Sequence, residues 1–212
     1  MKRVLLLPLL ICVLAPSLRA QSPAPLQLED VFAFQFASAP IVSPDGESVF
    51  YLRNSMDLMK DLRRANIWRV DSDGSGHRPV TTGARNVSSP ALAPDGQRLA
   101  YVDRDDTGAQ IFVSWLRGGE VAQLTRGPET PRSLSWSPDG RLIAFTMRVS
   151  VEAPTMGELP KAPKGAEWAP PPVVVDRVVY RNDGQGNRPQ AFYQVFVIAA
   201  DGGAPRQLTD GP

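Results

Sequence analysis

Three tetrapeptides punctuate this chain at near-regular intervals: Ser43-Pro44-Asp45-Gly46, Ala93-Pro94-Asp95-Gly96 and Ser137-Pro138-Asp139-Gly140. Their prolines lie 50 and 44 residues apart. The order of residues has a physical reason. Proline presets φ for the first turn position, Asp bonds its own nearby backbone, and Gly accepts a positive φ. An apolar run follows each: Val49-Phe50-Tyr51-Leu52, Leu99-Ala100-Tyr101-Val102 and Leu142-Ile143-Ala144-Phe145. Each tetrapeptide is thus expected to reverse the chain between two antiparallel strands.

The rest of the unit repeats too. A third strand is expected at Ile67–Val70, Ile111–Trp115 and Gln194–Ile198, and a Gly turn follows each at Asp73-Gly74, Arg117-Gly118-Gly119 and Asp201-Gly202-Gly203. A short fourth strand is expected at Val80-Thr81, Leu124-Thr125 and Leu208-Thr209. Four short strands in about 45 residues mark the blade of a β-propeller. The 17 glycines and 21 prolines among 212 residues fit such a chain and not a helical one. The expected fold is all-β, an incomplete propeller of about three four-stranded antiparallel blades near residues 38–82, 88–125 and 132–209.

Three blades fall short of the four to eight that close a ring. Leu208-Thr209-Asp210-Gly211-Pro212 also repeats Leu124-Thr125-Arg126-Gly127-Pro128, which runs on into another blade. The sequence therefore reads as part of a longer protein. Its two uncovered end faces are expected to carry Phe50, Tyr51, Phe196 and Ile198, and so to favour self-association.

The third unit is over-long. Gly74 and Gly118 are 44 residues apart, Gly118 and Gly202 are 84 apart, and the surplus falls at about 150–190, between the second and third strands. Its Pro-rich stretch, 153–172, cannot pair as a central strand and is expected as an extended surface loop. Val173-Val174-Val175 and Val178-Val179-Tyr180 return to strand character before a turn at Asn182-Asp183-Gly184.

Residues 1–20 stand apart from the fold. Lys2 and Arg3 precede an apolar run from Val4 to Leu14, and Ser17-Leu18-Arg19-Ala20 resembles a cleavage site. That run of 11 residues is short of the roughly 20 a spanning helix needs, so no stable membrane anchor is expected. The only cysteine, Cys12, would leave with this signal peptide. An exported protein results, periplasmic or extracellular, cleaved near Ala20. It would carry 20 basic and 22 acidic residues and rely on its core without disulfides. Near-neutral charge argues against a nucleic-acid partner.

These parts resemble the propeller of secreted prolyl oligopeptidase family serine peptidases. The likeness rests on Leu28-Glu29-Asp30-Val31-Phe32, the three Pro-Asp-Gly turns and the Leu-Thr closers. Asp176 to Gly186 is similar to an insertion of the acylaminoacyl-peptidase and dipeptidyl-peptidase group. The resemblance implies a propeller that gates peptide access to a C-terminal α/β-hydrolase domain with a Ser-Asp-His triad. No Gly-x-Ser-x-Gly elbow occurs in this sequence, so no catalytic residue carries over. Peptide substrates would be met through that hydrolase domain. A TolB-like periplasmic binding propeller is the alternative, although such proteins place a small α/β domain before the first blade. A lactonase-type propeller would need an acidic and amide cluster for its metal, which the sequence does not supply.

Individual side chains offer little chemistry. His77 is the only histidine and sits beside a hairpin turn, where it reads as solvated. Asp71-Ser72-Asp73-Gly74-Ser75-Gly76 resembles a calcium loop, but Thr82 occupies the position of the bidentate Glu. Trp68, Trp115 and Trp136 are expected to pack between blades. Trp168, beside Glu167 in the insertion, either lines an entrance or pins the loop. Lys60-Asp61-Leu62-Arg63-Arg64 reads as a solvated loop. No catalytic, cofactor-binding or metal residue is assigned, and no cofactor is expected.

Overall fold

A computed structural model describes residues 25–151, 160–169, 175, 178, 180–183, 186–187 and 190–211. Residues 1–24 with the expected signal peptide and Cys12, half of the Pro-rich stretch, Val173, Val174, Val179 and Gly184 lie outside these residues. A 3₁₀ turn at Leu28–Ala33 leads into three four-stranded antiparallel sheets. The first holds β1 (Phe36–Val42), β2 (Ser48–Asp57), β3 (Leu62–Asp71) and β4 (Arg78–Pro79). The second holds β5 (Ser88–Leu92), β6 (Arg98–Asp105), β7 (Gly108–Trp115) and β8 (Val121–Gln123). β9 (Arg132–Trp136) and β10 (Leu142–Ser150) begin the third. A two-stranded hairpin, β11 (Arg181–Asn182) with β12 (Gly186–Asn187), intervenes before β13 (Ala191–Ala199) and β14 (Arg206–Gln207) complete it. These are three blades of a β-propeller, and among the described residues they do not close a ring.

The Pro-Asp-Gly turns are built as their chemistry dictates. Gly46, Gly96 and Gly140 each donate N–H to the carbonyl three residues back, at 2.8–2.9 Å, with φ of 75°, 65° and 67°. The Asp carboxylates accept from backbone N–H groups of Glu47, Gln97 and Arg141. The Ser137 hydroxyl, with the Arg141 N–H and guanidinium, holds Asp139 far below the usual carboxylate range. Asp45 is lowered in the same way by Ser43 and the Glu47 N–H.

The aliphatic-Thr pairs do not form the fourth strands. Each follows its strand and works through the threonine. Thr81, Thr125 and Thr209 accept the N–H of Ile67, Ile111 and Val195, each at 2.9 Å. The same hydroxyls donate to the side-chain oxygens of Asn66, Gln110 and Gln194. Those amides then donate to the carbonyls of Gly83, Gly127 and Gly211. A side-chain latch thus joins one last backbone bond, from the N–H of Val80, Leu124 or Leu208 to the carbonyl of Ile67, Ile111 or Val195, where the chain leaves each blade. The four-stranded sheets need no long outer strand because of it.

Burial falls between blades. Phe50, Leu52, Ile67, Val87, Leu99 and Tyr101 form one core, between the first and second blades. Ala100, Val102, Ala109, Ile111, Val113, Ile143, Phe145, Phe196 and Ile198 form another, between the second and third. This corrects the expected end faces. Phe50 packs on the second blade, and so do Phe196 and Ile198, because β2 and β13 alternate sides along the strand. Of the four residues expected outside, Tyr51 alone lies on an end face. On the third blade that face carries Ala144, Thr146, Val195 and Val197 instead, which pair across β10 and β13 and are only partly covered.

The surplus residues leave from one point. β10 and β13 stay in register from Leu142–Ala199 to Ser150–Ala191, and Val151 N–H donates to the Gln190 carbonyl beyond. The described part of the Pro-rich stretch, 160–169, carries no strand and is exposed throughout.

Candidate functional site

Antiparallel order sends the connections of every blade to two ends. One end carries the Pro-Asp-Gly turns and the Gly turns at Gly74, Gly119 and Gly202. The other carries the β2–β3 and β6–β7 hairpin tips together with the base of the insertion.

The residues singled out from sequence do not converge. His77 is exposed but partnered: its Nε2 lies 2.6 Å from the Tyr51 hydroxyl, and its ring packs on Tyr51 and Trp68. All three belong to the end face of the first blade, so Trp68 is not packed between blades, and the Arg53 guanidinium covers it at 4.5 Å. Trp115 is partly exposed at the edge of the second blade. Trp136 does sit between blades, donating Nε1–H to the Ala91 carbonyl at 2.9 Å beneath Arg98. Trp168 is 54% exposed and makes no ring contact among the described residues.

The acidic loop is occupied by its own chain. Asp71 accepts from the Ser48 hydroxyl and the Arg69 guanidinium, while Asp73 accepts the Ser75 N–H at 2.8 Å. Lys60 and Asp61 belong to a turn as expected, but Leu62, Arg63 and Arg64 already belong to β3. Arg64 reaches back to Asp57 at 2.7 Å and to the Ala84 carbonyl, which fixes the hairpin. Among the described residues, no group of three or more His, Cys, Asp or Glu is arranged to hold a metal ion.

A site not singled out from sequence lies where the outer strands of the first two blades diverge. A cleft of about 290 Å³ opens there, with Phe50, Tyr101 and Leu116 among its apolar lining and Arg69, Arg78 and Arg85 around them. Arg69 stacks over the Phe50 ring and bonds Asp71. Arg85 donates to the nearly buried Asp103 carboxylate and, at 3.1 Å, to the Thr82 carbonyl. Arg78 has one weak bond, 3.3 Å to the Gly76 carbonyl, and no ion pair among the described residues. Burial pushes the Tyr101 hydroxyl above its ordinary pKa, so it stays protonated at neutral pH. The signal for this site was in the repeat. Shifted by one blade, the three arginines become Val113, Ala122 and Glu129. The third blade carries Val197 and Arg206 at the first two positions, so Arg69 sets the first blade apart from both others.

No family model matches the chain. It is 29% identical over 182 residues to the uncharacterized peptidase YuxL of Bacillus subtilis (strain 168), covering 85% of this chain and 27% of that protein. Over 110 residues it is 28% identical to dipeptidyl-peptidase 5 of Porphyromonas endodontalis, covering 52% of this chain and 16% of that one. A shorter stretch of 79 residues is 33% identical to the Tol-Pal system protein TolB of Alcanivorax borkumensis, covering 36% of this chain and 18% of TolB. Among solved structures, the uncomplexed acylaminoacyl peptidase of Pyrococcus horikoshii matches with a TM-score of 0.58 and 20% identity, over 81% of this chain and 24% of that one. The chain spans about a quarter or less of the length of these proteins. Its homologues include peptidases, and the fold it shares with the solved peptidase is the propeller.

Proposed function

We propose that this chain is the propeller portion of an exported serine peptidase of the acylaminoacyl-peptidase and dipeptidyl-peptidase type, gating peptide access to a hydrolase domain. The observation that carries the proposal is the 85% of the chain aligned with a peptidase of which it makes up 27%. In this reading the blades do no bond-breaking. They form a rigid wall, stiffened by the interblade cores and the threonine latches, and extended peptides pass it more readily than folded ones. The nucleophile, base and oxyanion donors belong to the hydrolase domain.

The test uses the whole polypeptide that contains these residues, alongside a version lacking residues 25–212. The whole polypeptide should cleave short chromogenic peptides and spare folded proteins, and a serine-directed inhibitor should stop it. Removing the propeller should relax the size limit if the hydrolase stays folded. Equal discrimination with and without these residues would overturn the gating role. The stretch shared with TolB favours a second reading, a binding propeller of an envelope complex. A reading frame that contains these residues but no Gly-x-Ser-x-Gly elbow would support that reading.

A further inference from the structure

The cleft between the first two blades has a composition that packing does not require. Arg69 projects from β3 into the interblade face, where the second blade carries the fully buried Val113. Arg78 occupies the place of Ala122, and Arg85 that of Glu129. A repeat position needed only to fill space is served by Val, as Val113 and Val197 show at the place of Arg69, while the place of Arg78 holds Ala122 in the second blade and Arg206 in the third. Arg69 is half-buried while Arg78 and Arg85 are exposed, so the three guanidiniums gather positive charge at one cleft with their donors accessible. Asp71 and Asp103 face two of the three. After these bonds Arg69 and Arg85 still hold free donors, since each guanidinium has five N–H groups. Arg78 has no carboxylate at all among the described residues.

The lining settles what kind of anion fits. Trp115, Leu116 and Val121 expose apolar surface to the cleft and favour an apolar body, while the exposed Arg78 guanidinium is a donor. A volume of about 290 Å³ lies at the lower end of ligand pockets and suits one apolar residue with its carboxylate. We propose that this cleft binds a carboxylate borne on an apolar side chain, either the C-terminal residue of a peptide or a free apolar amino acid. Arg78 pairs with the carboxylate, Arg69 lends further donors, and the side chain lies against Trp115 and Leu116. The site is remote in sequence from the insertion and does not depend on the gating role proposed above.

The repeat supplies variants with folding precedent. Arg69→Val and Arg78→Ala install the residues that the second blade carries at the same positions. Isothermal titration of the full chain would use glycyl-phenylalanine, its C-terminal amide, free phenylalanine and inorganic phosphate. Glycyl-phenylalanine or phenylalanine should bind, and whichever binds more tightly identifies the source of the carboxylate. The amide should bind roughly 10- to 100-fold more weakly than the acid, and the Arg69→Val/Arg78→Ala chain should lose the acid by a similar factor. Near-UV circular dichroism of that chain should match the parent. Acid and amide binding alike, phosphate binding as tightly as the acid, no binding by either acid, or undiminished binding in the correctly folded double variant would each overturn the proposal.

Discussion

The two interblade interfaces are built on the same backbone plan from different chemistry. Between the second and third blades, Ala100, Val102, Ile111 and Val113 meet Ile143, Phe145, Phe196 and Ile198 in a continuous aliphatic and aromatic core. Between the first and second, Phe50, Leu52 and Ile67 meet Leu99 and Tyr101, and the interface ends in a cleft ringed by arginines. Polar bonds are distributed to match. The first interface has the Arg85–Asp103 ion pair, where the second places Glu129 and Met147. Its linker also joins the sheet, with Val87 donating N–H to the Ala65 carbonyl at 3.0 Å. The equivalent of Val87 is Pro131, which has no N–H to donate. The second interface instead uses side chains as clamps: Trp136 on the Ala91 carbonyl and Arg98 on the Gly140 carbonyl, both at 2.9 Å. Both interfaces thus combine a packed core with polar bonds and both border a cleft, but arginines ring the cleft at the first, whereas Arg98, Arg141, Asp139 and Asp201 mix signs at the second.

The largest expected effect tests that contrast directly. Phe145→Ala empties a closed core and should cost about 3–5 kcal/mol of unfolding free energy. Phe50→Ala opens onto an existing cleft, where neighbours and water can adjust, and should cost visibly less. Urea titrations of both variants check this, and equal losses would mean that the cleft gives the Phe50 site no freedom to adjust.

Next in size is the latch at the second blade. Thr125 is buried and bonds both Ile111 N–H and the Gln110 side chain, itself 1% exposed. Thr125→Val strands both partners and should cost about 1–3 kcal/mol. Thr209→Val, at the exposed latch of the third blade, should cost less because water can replace the hydroxyl. A reversed order would mean the latches are not graded by burial.

Smaller again is Trp136→Phe, which keeps most of the ring but removes the bond to the Ala91 carbonyl and weakens the contact with Arg98. About 1 kcal/mol is expected by thermal unfolding. No loss would show that packing alone carries the second interface.

Acid should act weakly on both interfaces through their turns. Asp45 and Asp139 have folded pKa values below their unfolded ones. Their contribution is therefore fully present above the unfolded value, near 3.9, and is lost as pH falls through the folded values. A pH titration followed by circular dichroism should show constant stability contributions from these turns above about pH 5 and a decline below about pH 4. Asp139→Ala should flatten that decline, and an unchanged acid limb would remove the turn from the account.

Much of this architecture was legible in the residues. Pro-Asp-Gly, Gly-rich turns and apolar runs act locally, so three turns and most strands followed from short-range chemistry. The latches were seen but misread, because a Leu-Thr pair looks like strand while its hydroxyl bonds a residue 14 positions earlier. Their signature, an amide residue, then Thr 15 positions on and Gly two further, recurs in all three blades. Which alternating face met which neighbour was not legible either. Phe50 and Tyr51 differ by one residue and lie on opposite sides of the blade, a distinction settled only by the order of blades in space. The arginine cleft was hidden for another reason, since Arg69, Arg78 and Arg85 are ordinary one by one and come together only when the blades pack.

The paired positions Ser150 and Ala191 bound everything between them. Because the strands on either side run in unbroken register, the blade is indifferent to how much sequence is threaded through that opening. Closing a flexible loop becomes costlier only with the logarithm of its length, about 0.6 kcal/mol for each doubling. Substituting a shorter or longer segment would leave the interblade cores untouched while changing what overhangs that end of the propeller. The third blade thus takes up added sequence at a place where its own sheet is already complete.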